Sequence, residues 1–282
     1  MYSVDELEDR LIDLAFAEDI GDGDHTTLCC IPENAIGAQK LLVKENGIIA
    51  GIEVAKKIFN RFDPTLEIEQ YLHDGDKVKV GDVAFVVKGK VRSLLQTERI
   101  MLNVMQRMSG IATTTAKYMS KLEGTKCKVL DTRKTTPGMR MLEKAAVKIG
   151  GGVNHRIGLF DMILLKDNHI DFAGGIKNAL DRAQKYLKEN NKKLKIEIEV
   201  RNFKELQEAL EHGGVDRIML DNFSVENTRK AVEIVNEQTE IESSGGITID
   251  TIRDYAECGV DFVSVGALTH SVKGLDLSFK AV

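Results

Sequence analysis

The chain has 282 residues, 43% hydrophobic and 29% charged, with a formal net charge of -5. That composition suits one large or two smaller globular domains and excludes collagenous or disordered architectures. The acidic balance argues against nucleic acid as a partner, and no apolar run is long enough to span a membrane.

Residues 1–19 alternate Leu, Ile and Phe with acids at helical spacing and lack the basic start and apolar core of a secretion signal. The cysteines are Cys29, Cys30, Cys127 and Cys258, without Cys-x-x-Cys spacing. This predicts reduced thiols in a cytoplasmic protein, not a zinc site or redox motif. Residues 39–44 and 47–51 read as strands, 54–62 as a helix, and 66–71 as a strand of period two. Two turn signals flank a short strand within 73–82, and 83–87 follows as another strand. Together these make an α+β module. The turn-rich part also resembles a biotinyl or lipoyl carrier, which must display a lysine at a hairpin tip. Lys88-Gly89-Lys90 is the candidate for that tip.

Residues 94–119 read as one long helix. Met101, Val104, Met105, Met108, Ile111 and Ala112 form its buried stripe. Arg99, Asn103, Gln106 and Arg107 lie opposite, and spacing alone makes Arg99 a solvated charge. From residue 126 the pattern becomes alternating strands and helices. Strands are expected at 129–130, 162–165, 196–200, 217–220, 241–243 and 262–265, with helices at 139–148, 175–188, 203–212, 225–236 and 249–258. Repeated βα units predict a parallel sheet under outer helices. Gly-Val-Asp precedes two of the strands, at Gly214-Val215-Asp216 and Gly259-Val260-Asp261.

No Gly-x-Gly-x-x-Gly follows the first strand, so a dinucleotide fold has no anchor. In residues 195–200, Ile196, Ile198 and Val200 share one face, while Lys195, Glu197 and Glu199 share the other. An open sheet covered on both faces disfavours three charges on one side. A barrel interior accepts them if they find partners or a ligand; an exposed edge strand is the alternative.

In an α/β barrel the strand C-termini carry the chemistry. Here those ends supply Thr132-Arg133-Lys134, Lys166, Glu199, Asp221-Asn222, Ser244-Gly245-Gly246 and Gly266-Ala267, with His155-Arg156 before the second strand. Arginine forks and lysine charges suit carboxylates or phosphates. Glycines let backbone N–H groups approach a phosphate. The order predicts an anionic substrate at the cations and a metal-bound phosphorylated group at the acids.

Across nearly its whole length the chain resembles the quinolinate phosphoribosyltransferase family. The likeness rests on Glu18-Asp19-Ile20-Gly21, Gly23-Asp24-His25-Thr26-Thr27, and Glu98-Arg99 through Ser109-Gly110. It continues through Asp131 to Gly138, Gly150 to Arg156 and Leu165-Lys166-Asp167-Asn168-His169. Glu197 to Val200, Leu220-Asp221-Asn222, Glu242 to Gly246 and Gly266 to Ser271 complete it.

The resemblance implies an α/β fold: an N-terminal α+β domain, 1–105, rejoined by 268–282, and an incomplete, seven-stranded TIM-like barrel, 106–267. It implies a homodimer, or a hexamer of such dimers, in which Arg99 reaches the neighbouring subunit's site. It implies reaction of quinolinate with phosphoribosyl pyrophosphate and Mg²⁺, giving nicotinate mononucleotide, pyrophosphate and carbon dioxide for NAD synthesis. Arg99, Thr132, Arg133, Lys134, His155, Arg156 and Lys166 would bind substrate. Glu199 and Asp221 would hold the ribose and Mg²⁺, directly or through water. Ser244, Gly245, Gly246, Gly266 and Ala267 would take the 5′-phosphate. Lys134, Lys166, Glu199 and Asp221 are the expected catalytic set. A paralogue acting on another aromatic acid is the nearest alternative, and a sugar-phosphate lyase with a Schiff-base lysine is a more distant one.

Overall fold

A computed structural model of the chain describes residues 3–282. The first part contains α1 (Val4–Ile20), α2 (His25–Cys30), β1 (Ile36–Val43), β2 (Gly47–Ile48), α3 (Ile52–Phe62), β3 (Glu67–Gln70), β4 (Lys77–Val78), β5 (Val83–Lys90) and α4 (Val91–Lys121). Then come β6 (Lys128–Leu130), α5 (Arg140–Ile149), β7 (Ile163–Leu165), α6 (Asp167–Ala173), α7 (Ile176–Glu189), β8 (Ile196–Val200) and α8 (Phe203–His212). The chain closes with β9 (Arg217–Asp221), α9 (Val225–Val235), β10 (Glu240–Ser244), α10 (Ile252–Ala256), β11 (Phe262–Ser264), α11 (Ala267–His270) and β12 (Leu277–Ala281).

These elements form two compact units. One holds the residues through Ala116, Thr135–Gly151 and Leu268–Val282; the other holds Lys117–Lys134 and Gly152–Ala267. The expected boundary at 105/106 therefore falls inside the continuous helix α4. The segment carrying α5, expected in the barrel, groups with the first unit. One reason is the fully buried Glu143 of α5, which accepts from the Arg107 guanidinium of α4 at 2.9 Å.

In the first unit four antiparallel strands run in the order β12-β1-β5-β3. Phe59 of α3, Phe85 of β5 and Phe279 of β12 form its aromatic centre, with ring centroids 6.0–6.2 Å apart. Burying such rings contributes about 1.5–3 kcal/mol each. Lys88, Gly89 and Lys90 are not a hairpin tip: they pair along β1 with Ala38, Gly37 and Ile36. Lys88 also meets Glu69 at 3.1 Å. The carrier reading falls on that geometry.

The second unit holds one parallel sheet in the order β6-β11-β10-β9-β8-β7. The strand at 196–200 is interior, between β7 and β9, and all five residues of β8 are buried. That removes the exposed-edge alternative. The sheet has six strands, where seven were expected. Outside the pairing of those six strands, one isolated parallel bridge joins Leu130 to Val153. The Gly-Val-Asp repeats have a structural cause. Asp216 accepts the Ile196 N–H at 2.7 Å and Asp261 accepts the Ile241 N–H at 2.9 Å. Each aspartate thus satisfies a buried donor near the start of the adjacent strand, which would otherwise be left unpaired.

Candidate active site

The loops after the parallel strands of the second unit carry most of the expected residues and bring Lys166 to Glu199, Glu199 to Asp221 and Arg133 to Arg156. β6 ends at Leu130 and runs into buried Asp131, then Thr132, Arg133 and Lys134. Asp131 fixes the next segment: its Oδ1 accepts the His155 N–H at 2.8 Å. Thr132 Oγ1 accepts the Lys134 N–H at 3.0 Å, tightening the basic turn.

His155 and Arg156 are both 8% exposed. The His155 Nδ1 accepts the Arg156 N–H at 2.7 Å. Its Nε2 lies 3.0 Å from Glu197 Oε2 and 3.5 Å from Glu242 Oε2. The imidazole therefore faces the sheet interior. The Arg156 guanidinium donates to the Met162 carbonyl at 3.3 Å. Burial, and next the charge of Arg133, lower its pKa from the ordinary arginine value. A buried arginine beside a second positive charge forms a seat for an anion.

On β8 and β9 the sign reverses. Glu199 is 7% exposed and Asp221 half-buried. Burial, and then the neighbouring Asp221 charge, raise the Glu199 carboxyl above its usual range. The Lys166 Nζ, 3.9 Å from Glu199 Oε2, pulls the other way. Asn222 follows in the left-handed region, φ 54°, and donates to Asp221 Oδ2 at 2.8 Å. Two oxygen-donor carboxylates that repel one another suit a divalent cation, and Mg²⁺ prefers oxygen ligands. Glu199 and Asp221 thus fit the metal expected from the sequence.

Past β10, Gly245 and Gly246 adopt φ 99° and 62°. A Cβ on Gly245 would collide with the Asn222 side chain and lie 3.0 Å from the Asn222 nitrogen. Gly245→Ala is expected to cost about 1–2 kcal/mol in backbone strain alone. It should also raise KM for the phosphorylated substrate, because Asn222 must move off Asp221. Thermal melting and initial-rate kinetics on the same preparation check both effects. On the other side of the glycines, the Val265 N–H donates to the Leu130 carbonyl at 3.0 Å, which ties the loop at Gly266-Ala267 to β6.

Arg99 is exposed, as its spacing alone predicted. Arg99 lies in the first unit, on a cavity of about 420 Å³ lined also by Glu8, Glu18, Asp19, Asn103 and Arg107. It belongs to none of the second unit's loops. His169 accepts the Lys166 N–H at 3.0 Å and so closes the start of α6. Glu197 is an interior charge partner. It lies 3.8 Å from the Arg217 guanidinium, which also meets Glu242 at 3.1 Å. Burial pushes the Glu197 and Glu242 carboxyls up to about 7. Glu242 and Arg217 were not singled out from the sequence. The available signal was Glu240-Ile241-Glu242, which repeats the charge alternation of residues 195–200.

Comparison with known proteins gives a consistent picture. Residues 24–109 match the model for the quinolinate phosphoribosyl transferase N-terminal domain, and 111–280 match that for the C-terminal domain. The chain is 46% identical to the chloroplastic nicotinate-nucleotide pyrophosphorylase [carboxylating] of Arabidopsis thaliana, over 96% of this chain and 81% of the relative. It is 44% identical to quinolinate phosphoribosyltransferase [decarboxylating] 1b of Nicotiana tabacum, with the same coverage. Its fold superposes on NadC from Streptococcus pyogenes with a TM-score of 0.91 and 39% identity, covering 97% of this chain and 96% of that one. The nicotinate-nucleotide pyrophosphorylase from Francisella tularensis gives 0.91 and 40%, covering 100% and 98%.

Proposed function

The chain belongs to the quinolinate phosphoribosyl transferase family, a phosphoribosyltransferase family of NAD biosynthesis, and from that premise we propose how its own residues carry the reaction. The reaction transfers phosphoribosyl from phosphoribosyl pyrophosphate to quinolinate, with loss of carbon dioxide, to give nicotinate mononucleotide and pyrophosphate. The observation that carries the assignment of roles is the pairing of two strained charge clusters on one sheet. Arg156 is buried beside the Arg133 charge, and Glu199 is buried beside Asp221 with the Lys166 Nζ 3.9 Å away. A dicarboxylate relieves the first cluster and a cation-bound pyrophosphate ester relieves the second.

Arg133, Arg156 and Lys166 hold the adjacent ring carboxylates through charge-assisted hydrogen bonds, which offset desolvation of both anions. His155 acts from beneath, because its Nδ1 is spent on the Arg156 backbone and its Nε2 faces the glutamates. Thr132 and Lys134 line the turn between the carboxylates and the pyrophosphate. Glu199 and Asp221 hold the ribose hydroxyls and Mg²⁺, directly or through water. When bound, Mg²⁺ neutralises charge building on the departing pyrophosphate. Ser244, Gly245, Gly246, Gly266 and Ala267 offer N–H and hydroxyl donors to the 5′-phosphate.

The ring nitrogen bonds to the anomeric carbon as the bond to pyrophosphate breaks. Positive charge develops on the ribose, so the acids of β8 and β9 stabilise it without acting as bases. When the adjacent carboxylate departs as carbon dioxide, the electron pair of the broken bond stays on the ring carbon, where the positive charge of the quaternised nitrogen stabilises it, and a proton then bonds to that carbon.

Arg99 is the exception to a site built from one chain. We assign it to the site of a second copy, in a homodimer that can assemble into hexamers. We also propose that the parallel sheet closes into an incomplete barrel through the bridge at Val153, and that the protein works in the cytoplasm.

The test is an assay of purified protein with quinolinate, phosphoribosyl pyrophosphate and Mg²⁺, reading carbon dioxide and nicotinate mononucleotide, with nicotinate as a parallel substrate. Product from quinolinate alone is expected. Turnover of nicotinate alone would overturn the dicarboxylate seat.

A further inference from the structure

Cys29 and Cys30 are the last two residues of α2, and both are exposed. Their Sγ atoms are 3.4 Å apart. Cys127 and Cys258 are buried. The short helix is fixed at both ends. Asp24 caps it by accepting the Thr27 N–H at 3.0 Å. The Arg92 guanidinium donates to the Ile31 carbonyl at 2.8 and 2.9 Å. The Cys29 thiol is oriented further, since it donates to the Thr26 carbonyl at 3.3 Å. The two sulfurs therefore sit side by side on a held backbone.

Two fates of such a pair are disfavoured by geometry. A disulfide needs the sulfurs at about 2.05 Å, with a specific dihedral. Between chain neighbours that bond closes a small ring through one peptide, which the helical backbone at this position opposes. A structural zinc site needs four ligands. Among the described residues, the one cluster of three or more candidate metal ligands is His155, Glu197 and Glu242, and neither cysteine is in it. What remains is a soft centre that takes two thiolates and brings its own third substituent. Thiolates select soft centres.

We propose that Cys29 and Cys30 form a two-thiol capture site for trivalent organoarsenicals. In the reaction two S–H bonds and both As–OH bonds of an arsonous acid break. Two As–S bonds form and two waters leave. Arsenic stays trivalent, so no oxidant or reductant is needed. The sulfurs need no S–S bond and can stay near their present spacing. Because Cys29 spends its S–H on the Thr26 carbonyl, Cys30 is the donor between the two sulfurs, and that hydrogen bond raises the Cys30 thiol above its ordinary value.

Phenylarsine oxide is the probe, used on the full chain and read by intact mass under native conditions. One phenylarsenic group per chain, accompanied by loss of two hydrogens, is expected. A dithiol such as dimercaptopropanol should remove it far more readily than an equal thiol concentration of a monothiol. C29S and C30S should each weaken capture roughly a hundredfold, the loss expected when a second attachment to one centre is removed. Circular dichroism on both variants controls for folding. An unchanged two-hydrogen adduct in C29S or C30S would overturn the assignment. So would the absence of any adduct on a native chain whose Cys29 and Cys30 are both alkylated by iodoacetamide.

Discussion

Glu199→Gln is expected to lower kcat by about two to three orders of magnitude, the usual consequence of deleting one preorganised electrostatic group. KM for quinolinate should change little. The reason lies in what Glu199 touches. It is nearly buried, it faces Asp221, and its cationic neighbour Lys166 is 3.9 Å away. Glutamine keeps the shape and removes the charge that would oppose positive charge on the ribose. The side chain carries a carboxylate raised by burial, so neutralising it should not destabilise the fold. A melting curve no lower than that of the parent, alongside the collapsed kcat, would separate catalysis from folding. Turnover within a few-fold of the parent would remove Glu199 from the catalytic set.

Arg156→Lys should act on the other substrate. A planar fork becomes a point charge, so bidentate carboxylate recognition is lost while the charge remains. One charge-assisted hydrogen bond is worth about 1.5–3 kcal/mol, so KM for quinolinate should rise roughly 10- to 100-fold. KM for phosphoribosyl pyrophosphate should hold. Arg156→Ala should be worse for stability as well, since it strips a positive neighbour from buried Glu197 and from Asp161. Initial rates with each substrate varied in turn decide the matter. Equal rises in both KM values would mean a general collapse of the loop, not a carboxylate contact.

Much of the second unit was legible because its strands are short apolar runs between punctuating turns. The strand at 196–200 shows where pattern met its limit. Its alternation of charge and apolar residue pointed to an interior with partners or to an exposed edge, and the partners came from Arg217 and Glu242, one and two strands further along the chain. Pairing across a sheet is a tertiary fact that no local window contains. The helix α6 was missed for a related reason. Of its seven residues only Ile170 is buried, so it has no apolar stripe to read. The strand β12 escaped too, since Leu277 and Phe279 are its only buried apolar residues in five. Within the site, Arg133, Lys134, Lys166, Glu199 and Asp221 lie at or just past the ends of β6, β7, β8 and β9. The motif order could not tell that the His155 ring turns inward, because a ring's direction depends on what lies behind it.

The placement of β12 has a consequence for synthesis. It forms an outer strand of the first unit's sheet, pairing with β1 from Gln39↔Ala281 to Val43↔Leu277. β1 is translated long before β12, so this pair cannot form until every element between them has been made. Domains ordinarily mature from the N-terminus during translation. Here the order inverts: the parallel sheet, complete once β11 has emerged, can assemble while the earlier-made sheet still waits with an open flank. Nascent chains stalled just after β11 should therefore show protease resistance in the later-encoded half first. An obstruction at β12 should therefore harm the first unit more than the second.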